Sequence, residues 1–536
     1  MKRLFFIPII GLLLLSSSSF GQVTFTSQSI STQGDRKICV VDMNADYLDD
    51  IVTVSTSNIF VYYQNADSPD FTEGVFTTTP ADFSPSWSMA AGDLTGNGYN
   101  DLLYGGGNGV TFMIANDDGT EYTETSGSEY VFSQRSNFVD INNDGNLDAF
   151  VCHDVAPNVY YINDGEGNLT FNQGGIGDYP TGGHYGSLWV DYNNDGNIDM
   201  FMAKCGGEIE RRTNQLFENN GDGTFTNVAE DAGLADPVQT WSSAWGDFDN
   251  DGDMDVFVGA SASSDTHKLM LNNGDGTFTD VTAGSGFDLF GGTSIEHATY
   301  DFNNDGYIDI FGNSNRIFIN NGDMTFTETN APFSGASIGD LNNDGFLDAY
   351  TGSAIYYNNG NANNWIVINT EGTESNRNGI GARVEVTTAM GTQIRDVRSG
   401  EGFRYMSTLN THIGIGTDTE IESIVIKWPS GIVDEIENPA INTVHHIIEG
   451  ENAMDINEQQ LAFISLYPNP TNDQLHIASK APVKGATATV YDVSGRMVLA
   501  DVLQTNNLNV SALNTGVYFL NLDIADKKVK LQFIKQ

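Results

Sequence analysis

DINNDGNLD, from Asp140 to Asp148, is one of seven copies of a nine-residue acidic motif, and its reading decides the fold. The other copies are DMNADYLDD (Asp42 to Asp50), DLTGNGYND (Asp93 to Asp101), DYNNDGNID (Asp191 to Asp199), DFDNDGDMD (Asp247 to Asp255), DFNNDGYID (Asp301 to Asp309) and DLNNDGFLD (Asp340 to Asp348). Calcium takes six to eight oxygens at roughly 2.3–2.6 Å. In a tight loop the side chains at positions 1, 3 and 5 converge, position 7 offers its carbonyl, and the Asp at position 9 closes the shell. Glycine at position 6 allows the turn that other residues resist. An EF-hand starts alike but needs a bidentate Glu at position 12 between two helices. Position 12 is Val151 after the third loop and Val258 after the fifth, and the flanks read as strands. One such loop could be an ordinary Asx/Gly turn; seven in register point to metal.

The candidate calcium ligands follow loop by loop. They are Asp42, Asn44, Asp46 and Asp50; Asp93, Thr95, Asn97 and Asp101; Asp140, Asn142, Asp144, Asn146 and Asp148; and Asp191, Asn193, Asp195, Asn197 and Asp199. The last three loops add Asp247, Asp249, Asp251, Asp253 and Asp255; Asp301, Asn303, Asp305, Tyr307 and Asp309; and Asp340, Asn342, Asp344, Phe346 and Asp348. Two loops depart from the pattern. Thr95 and Asn97 leave the second with Asp93 and Asp101 as its only charges, and Tyr47 replaces the glycine of the first, so these two are expected to bind most weakly. The fifth, with five Asp, carries the most charge.

The loops start 51, 47, 51, 56, 54 and 39 residues apart, the spacing of propeller blades rather than helical solenoids. A strand such as SLWVD or SSAWGD enters each loop, and a second leaves with an apolar pair such as Met200-Phe201 or Val256-Phe257. A third strand ends in an Asn/Gly/Asp turn before a fourth, as in LFENNGDGTFTNV from Leu216. Four strands repeated seven times predict a seven-bladed β-propeller. The last unit lacks a fourth strand, and Val23 to Thr26, which is like the GTFT strands, is expected to close the ring there.

The repeats resemble the FG-GAP/VCBS family of calcium-loop propellers over roughly residues 23–360. The run NGIGARVEV, GEGFRYMS, HIGIG and IVIKWPSG, between Trp365 and Glu449, resembles the ASPIC/UnbV domain of cartilage-acidic-protein-like chains. Its alternating pattern reads as a compact all-β domain without an evident active site. From ISLYPNP at Ile464 to the C-terminus the chain resembles the type A sorting domain of the type IX secretion system, which implies a small β-sandwich serving as an address. The expected organisation is therefore all-β: signal peptide 1–21, propeller 22–360, ASPIC/UnbV-like domain 361–449, linker 450–462 and sorting domain 463–536.

Lys2 and Arg3, the apolar run Leu4 to Leu15, and Ser19 and Gly21 before Gln22 read as a cleavable signal peptide, too short to span a bilayer. With the sorting domain this implies export to the cell surface or medium of a Bacteroidetes-type bacterium, and the secretion machinery as a partner. No later stretch is apolar enough for a membrane span. Seventy-one acids against 23 Lys and Arg give a net charge of −48, and 23 of the acids lie in the loops. That balance argues against a nucleic-acid partner, whose backbone demands cations, and favours solubility. Three cysteines do not make a disulfide scaffold; a bridge between Cys152 and Cys205 and free thiols are both open readings.

Catalytic patterns are sparse. No HExxH occurs, and Gly335-Ala336-Ser337-Ile338-Gly339 matches G-x-S-x-G but enters a calcium loop with no helix after it. Better candidates lie where each inner strand begins, at the face opposite the loops: Arg36, Trp87, Arg135, His184, Tyr185, Trp241 and Glu296. Aromatics and charges at one register suit a glycan or an anionic ligand, although aromatics can also pack between blades, as Trp189 and Trp245 are expected to do. Three functions compete. The first is a calcium-stabilised, non-catalytic binding or adhesion module for a glycan or extracellular protein. The second is a lyase-like, polysaccharide-active enzyme using His184, Tyr185, Arg135 and Arg36. The third is a structural surface-coat protein.

Overall fold

The computed structural model describes residues 23–453 and 464–536, apart from 67, 313–314, 480–482, 494 and 525–526. The expected signal peptide and most of the expected linker lie outside the described residues. Seven four-stranded antiparallel sheets follow one another as blades. Their inner strands are Arg36–Val40, Met89–Gly92, Ser133–Val139, His184–Val190, Thr240–Gly246, His297–Tyr300 and Ser337–Gly339. The inner strand of the seventh blade packs on that of the first, which closes the ring. In that last blade the outer place is taken by Phe25–Ser29, paired antiparallel with Ala354–Asn358. The expected closing strand is thus present, shifted two residues along the chain.

The fourth blade illustrates the build. Asp199–Lys204, the strand leaving its loop, is buried at all six positions. A blade's second strand is covered by neighbouring blades on both faces, so it reads as a continuous apolar run rather than an alternation. The outer strand Phe225–Asn227 faces solvent. Between blades the aromatics seal the seams: Trp189 meets Phe150 edge-on with centroids 5.2 Å apart, and Trp245 lies 5.6 Å from Phe201. The packing expected of Trp189 and Trp245 is what the structure has.

The next domain is two sheets, one of Asn364–Glu371 between Thr411–Gly416 and Val444–Ile448, the other of Arg383–Thr388 and Ser423–Lys427 flanked by Gly391–Asp396 and Val433–Glu437. It is not a separate bead. Its Ile366, Ile380, Val384 and Trp428 share one apolar cluster with Leu94, Phe138 and Leu147 of the second and third blades. The sorting domain has its own core, around Leu475, Val490, Leu520 and Phe533, between a three-stranded and a four-stranded sheet. Among the described residues no helix is long and apolar enough to cross a membrane.

Candidate metal loops and a filled channel

All seven acidic loops share one backbone hydrogen-bond pattern. The Asp at position 9 accepts the N–H of position 2 with one oxygen and an N–H from the end of the third strand with the other. In the fifth loop these are Phe248 N–H to Asp255 at 3.1 Å and Asn272 N–H to Asp255 at 2.8 Å. The Asp at position 1 accepts the N–H of position 6 in every loop and that of position 5 in five of them, as Asp247 does from Gly252 and Asp251, each at 3.0 Å. Position 6 is left-handed throughout, its glycines running from Gly345 at φ 81° to Gly306 at φ 94°. Tyr47 takes that conformation too, at φ 65°, unfavourable for a bulky residue. Its side chain is held by the ASPIC/UnbV-like domain: its hydroxyl donates to Glu371 at 2.5 Å and its ring meets His446 edge-on.

Two features escaped the sequence reading. Position 4 is also left-handed in every loop: Asn143, Asn194, Asn250, Asn304, Asn343, Gly96 and Ala45. Asn is the commonest side-chain-bearing residue there because it tolerates that region, and its recurrence was the available signal. The second is an Asn at the end of the third strand, whose amide ties one blade to the preceding one. Asn272 Nδ2 donates to the carbonyls of Tyr192 in the previous blade's loop and of Met254 in its own; Asn320 and Asn358 do likewise. The repeated Asn before Asn-Gly-Asp marked it.

The donor set fits a hard cation. Carboxylate oxygens of Asp247, Asp249 and Asp255 lie within 4.8 Å of one another. Asn44 Oδ1, Thr95 Oγ1, Asp249 Oδ1 and Asp301 Oδ1, oxygens at positions 1 and 3, are buried with no hydrogen-bond donor. Buried polar atoms are rarely left so. Burial raises these carboxyls: Asp140 and Asp191 to about 6, and Asp247, Asp301 and Asp340 to about 7, with the neighbouring loop carboxylates adding to the shift. Asp199, Asp255, Asp309 and Asp348 rise well above the usual range for the same reason. Crowded, desolvated carboxyls at neutral pH need protons or a cation. The fifth loop's Asp253 turns aside, its Oδ1 accepting from Asn194 Nδ2 at 2.6 Å, so only its carbonyl is left to serve as a ligand.

The ASPIC/UnbV-like domain sits on this loop face. Asn410 donates to the Tyr47 carbonyl, Asn378 accepts the Asp93 N–H at 2.7 Å, and Arg383 donates to the Asp191 carbonyl at 2.6 Å. Gly416 N–H reaches the Asn304 carbonyl, and His412 Nε2 donates to that of Gly345. Arg383 is itself held by Asp396, and the positive charge of Arg395 lowers the Asp247 and Asp301 carboxyls against burial.

From this domain residues 398–408 descend through the middle of the ring. Ser399 donates to the Ala91 carbonyl, and Met406 exchanges backbone bonds with Ile38 and Val40. Thr408 N–H donates to the Ile338 carbonyl, while Ser407 accepts the Ile338 N–H and the Tyr300 hydroxyl. Each partner is on an inner strand.

This changes the setting of the residues expected at the opposite face. Arg135 is fully buried, giving Nη1 to the Tyr405 carbonyl and Nη2 to that of Ser399. Glu296 is buried too, accepting the N–H groups of Phe403 at 2.7 Å and Arg404 at 3.0 Å, with its carboxyl raised to about 7 by burial. His184 is enclosed, its Nδ1 on the His153 carbonyl, and burial lowers its pKa to about 3. Arg135 and Glu296 hold the protein's own descending segment and His184 packs against the third blade, so none of the three lines an open mouth. Trp87, Tyr185 and Trp241 remain partly exposed around the buried Phe403, and Arg36 is exposed. Trp241 lies 5.0 Å from Phe403, 5.6 Å from Trp87 and 4.6 Å from Tyr185 between ring centroids. Ser337 is wholly buried in its inner strand, unlike an exposed nucleophile. Cys152 and Cys205 are unbridged; Cys152 packs on Met202 and Cys205 donates to Gln239.

Comparison with known proteins agrees with this architecture. The family described as FG-GAP-like repeat matches residues 93–151, 140–202, 191–258 and 301–351. ASPIC and UnbV matches 372–453, and the secretion system C-terminal sorting domain matches 465–536. The chain is similar to cartilage acidic protein 1 of Mus musculus, 28% identical over 312 residues covering 56% of this chain and 43% of that protein. It is similarly related to the Homo sapiens protein, 29% identical over 312 residues, 56% of this chain and 42% of that one. The match thus spans less than half the length of these curated relatives. Among solved structures, PorZ, a surface component of the type-IX secretion system of Porphyromonas gingivalis, aligns over 95% of this chain and 83% of its own at 12% identity, with a TM-score of 0.20. That superposition is too loose to bear on function.

Proposed function

We propose that this chain of FG-GAP-like repeats, an ASPIC/UnbV domain and a secretion sorting domain is a calcium-stabilised, non-catalytic binding module working at the outer cell surface or in the medium. The sorting domain supports that location and implies handling by the type IX secretion machinery. Calcium would be held by positions 1, 3, 5 and 9 of the loops and the carbonyl at position 7. It would supply positive charge to carboxylates that otherwise repel one another. With the loops fixed, the ASPIC/UnbV domain keeps its seat and residues 398–408 stay in the channel.

The observation that carries the reading is which face remains free. The loop face is covered by the ASPIC/UnbV domain, whereas the opposite face shows Trp87, Tyr185 and Trp241 partly exposed. Its connecting segments add the exposed Tyr130, Val155, Ile209 and Leu289. Exposed apolar groups gathered on one face mark interaction surfaces. The ligand is a glycan or an extracellular protein. The test is a calcium titration followed by thermal melting, then binding to glycan and matrix-protein arrays, with polymer cleavage assayed on the same samples. A calcium-dependent shift and a bound ligand without cleavage are expected. Cleavage of a polysaccharide would overturn the non-catalytic reading, and no response to calcium would overturn the metal reading.

A further inference from the structure

We propose that the aromatic centre of the free face, completed by Phe403 and Arg404 of the ASPIC/UnbV domain, is a subsite for an acidic sugar, a uronate-bearing oligosaccharide. This rests on the reading that the face opposite the loops binds ligand, and it names the ligand's class. The ring planes of Trp87 and Trp241 stand at 87° to each other, with Tyr185 tilted 45° from Trp241 and buried Phe403 as the floor. Flat, partly exposed rings set at an angle offer stacking surface to the C–H faces of a pyranose while leaving its hydroxyls wet.

The charge near these rings runs against the rest of the molecule. In a chain of 71 acids and 23 bases, the Arg404 guanidinium lies 5.7 Å over the Trp87 ring. Arg36 is exposed, and its Nε is fixed on the carbonyl of Pro85, two residues before Trp87. Among the described residues neither arginine forms an ion pair with a carboxylate. The nearby Glu296 carboxylate is buried below, occupied by the Phe403 and Arg404 N–H groups, and it feels the charges of both Arg135 and Arg404 without forming an ion pair with Arg404. Asp154 is taken by Arg211 at 2.7 Å and the Tyr185 hydroxyl. An oriented guanidinium beside a stacking ring suits a carboxylate carried on a sugar. A neutral glycan would leave that charge unused. The site also gives the ASPIC/UnbV domain a role, since its residues 403 and 404 reach the face through the channel.

The experiment uses the full chain with about 1 mM calcium, a concentration at which extracellular calcium modules work. Tetragalacturonate and its methyl ester are titrated calorimetrically against the wild type and the variants Arg404→Gln, Arg404→Lys and Trp241→Ala, with a melt for each. The acid is expected to bind about tenfold or more better than the ester, as a charged pair allows. Arg404→Gln should abolish that preference while leaving the melt unchanged, Arg404→Lys should keep part of it, and Trp241→Ala should lose both ligands. Equal binding of acid and ester, insensitive to Arg404 but lost in Trp241→Ala, would overturn the acidic class and keep the binding face. Acid binding that survives Trp241→Ala would place the sugar elsewhere and overturn the subsite. If the wild type binds neither oligosaccharide yet captures a protein on the arrays, the sugar inference falls and the binding face stands.

Discussion

Removing calcium should invert the way this protein's stability responds to pH, and the fifth loop shows why. Asp247 is wholly buried and its carboxyl is raised to about 7, first by burial and then by the charge of Asp249. In the unfolded chain the same group titrates near 4. Below pH ~4 it is protonated in either state and adds no pH-dependent cost. As the pH climbs, the unfolded chain releases the proton while the folded loop keeps it, so folded stability falls until the folded carboxyl also ionises near pH 7. A shift of about three units corresponds to about 4 kcal/mol. Over the roughly 430 residues of propeller and ASPIC/UnbV domain, an unfolding entropy of about 2.1 cal/mol/K per residue turns this into about 5 °C. Asp301 and Asp340, raised equally, act in the same direction. Calcium must displace these protons, so the loaded protein should gain stability over the same range. Thermal melts of metal-free and calcium-saturated protein from pH 4.5 to 8 would read the two slopes. A metal-free midpoint that rises with pH, or two parallel curves, would refute the reasoning.

Other perturbations test the channel and the seams. Glu296→Ala strips the acceptor from the Phe403 and Arg404 N–H groups and leaves Arg135 without its counter-charge; a loss of about 3–5 kcal/mol in urea unfolding is expected, with faster proteolysis near residues 398–408, and an unchanged midpoint would show that the plug is not held there. Asn272→Ala removes the amide that joins the fourth and fifth blades and should cost about 2–4 kcal/mol, read by chemical denaturation of the calcium-loaded protein; a cost under about 0.5 kcal/mol would make the stitch incidental. In a thiol titration Cys205, half-buried, should react first, whereas Cys39 and Cys152, fully buried and with the Cys152 thiol pushed up to about 12, should react only on unfolding; the loss of two of the three thiol equivalents in the unfolded, unreduced protein would reveal a bridge instead.

The sequence by itself determined the repeat architecture because the constraint behind it is local. Nine residues must turn tightly and converge their oxygens, so Asp, Asn and Gly recur at fixed places, and the four-strand unit around each loop follows from turns and apolar pairs within reach of it. The closing strand near Phe25 was legible for the same reason, as a GTFT-like pattern absent from the last unit. The domain series was likewise written in short motifs. Tertiary structure alone decided what fills the ring. GEGFRYMS reads as a strand and turn, yet it and the adjoining Ser399 meet five blades, Met406 the first, Ser399 the second, Tyr405 the third, Phe403 and Arg404 the sixth and Ser407 the seventh, separated from them by about a hundred to several hundred residues. No periodicity announces such contacts, because each is a single side chain or backbone group meeting a distant partner. Arg135 and Glu296 accordingly carried the right charge at the right register, and only the folded chain could reveal that their partner was the protein itself.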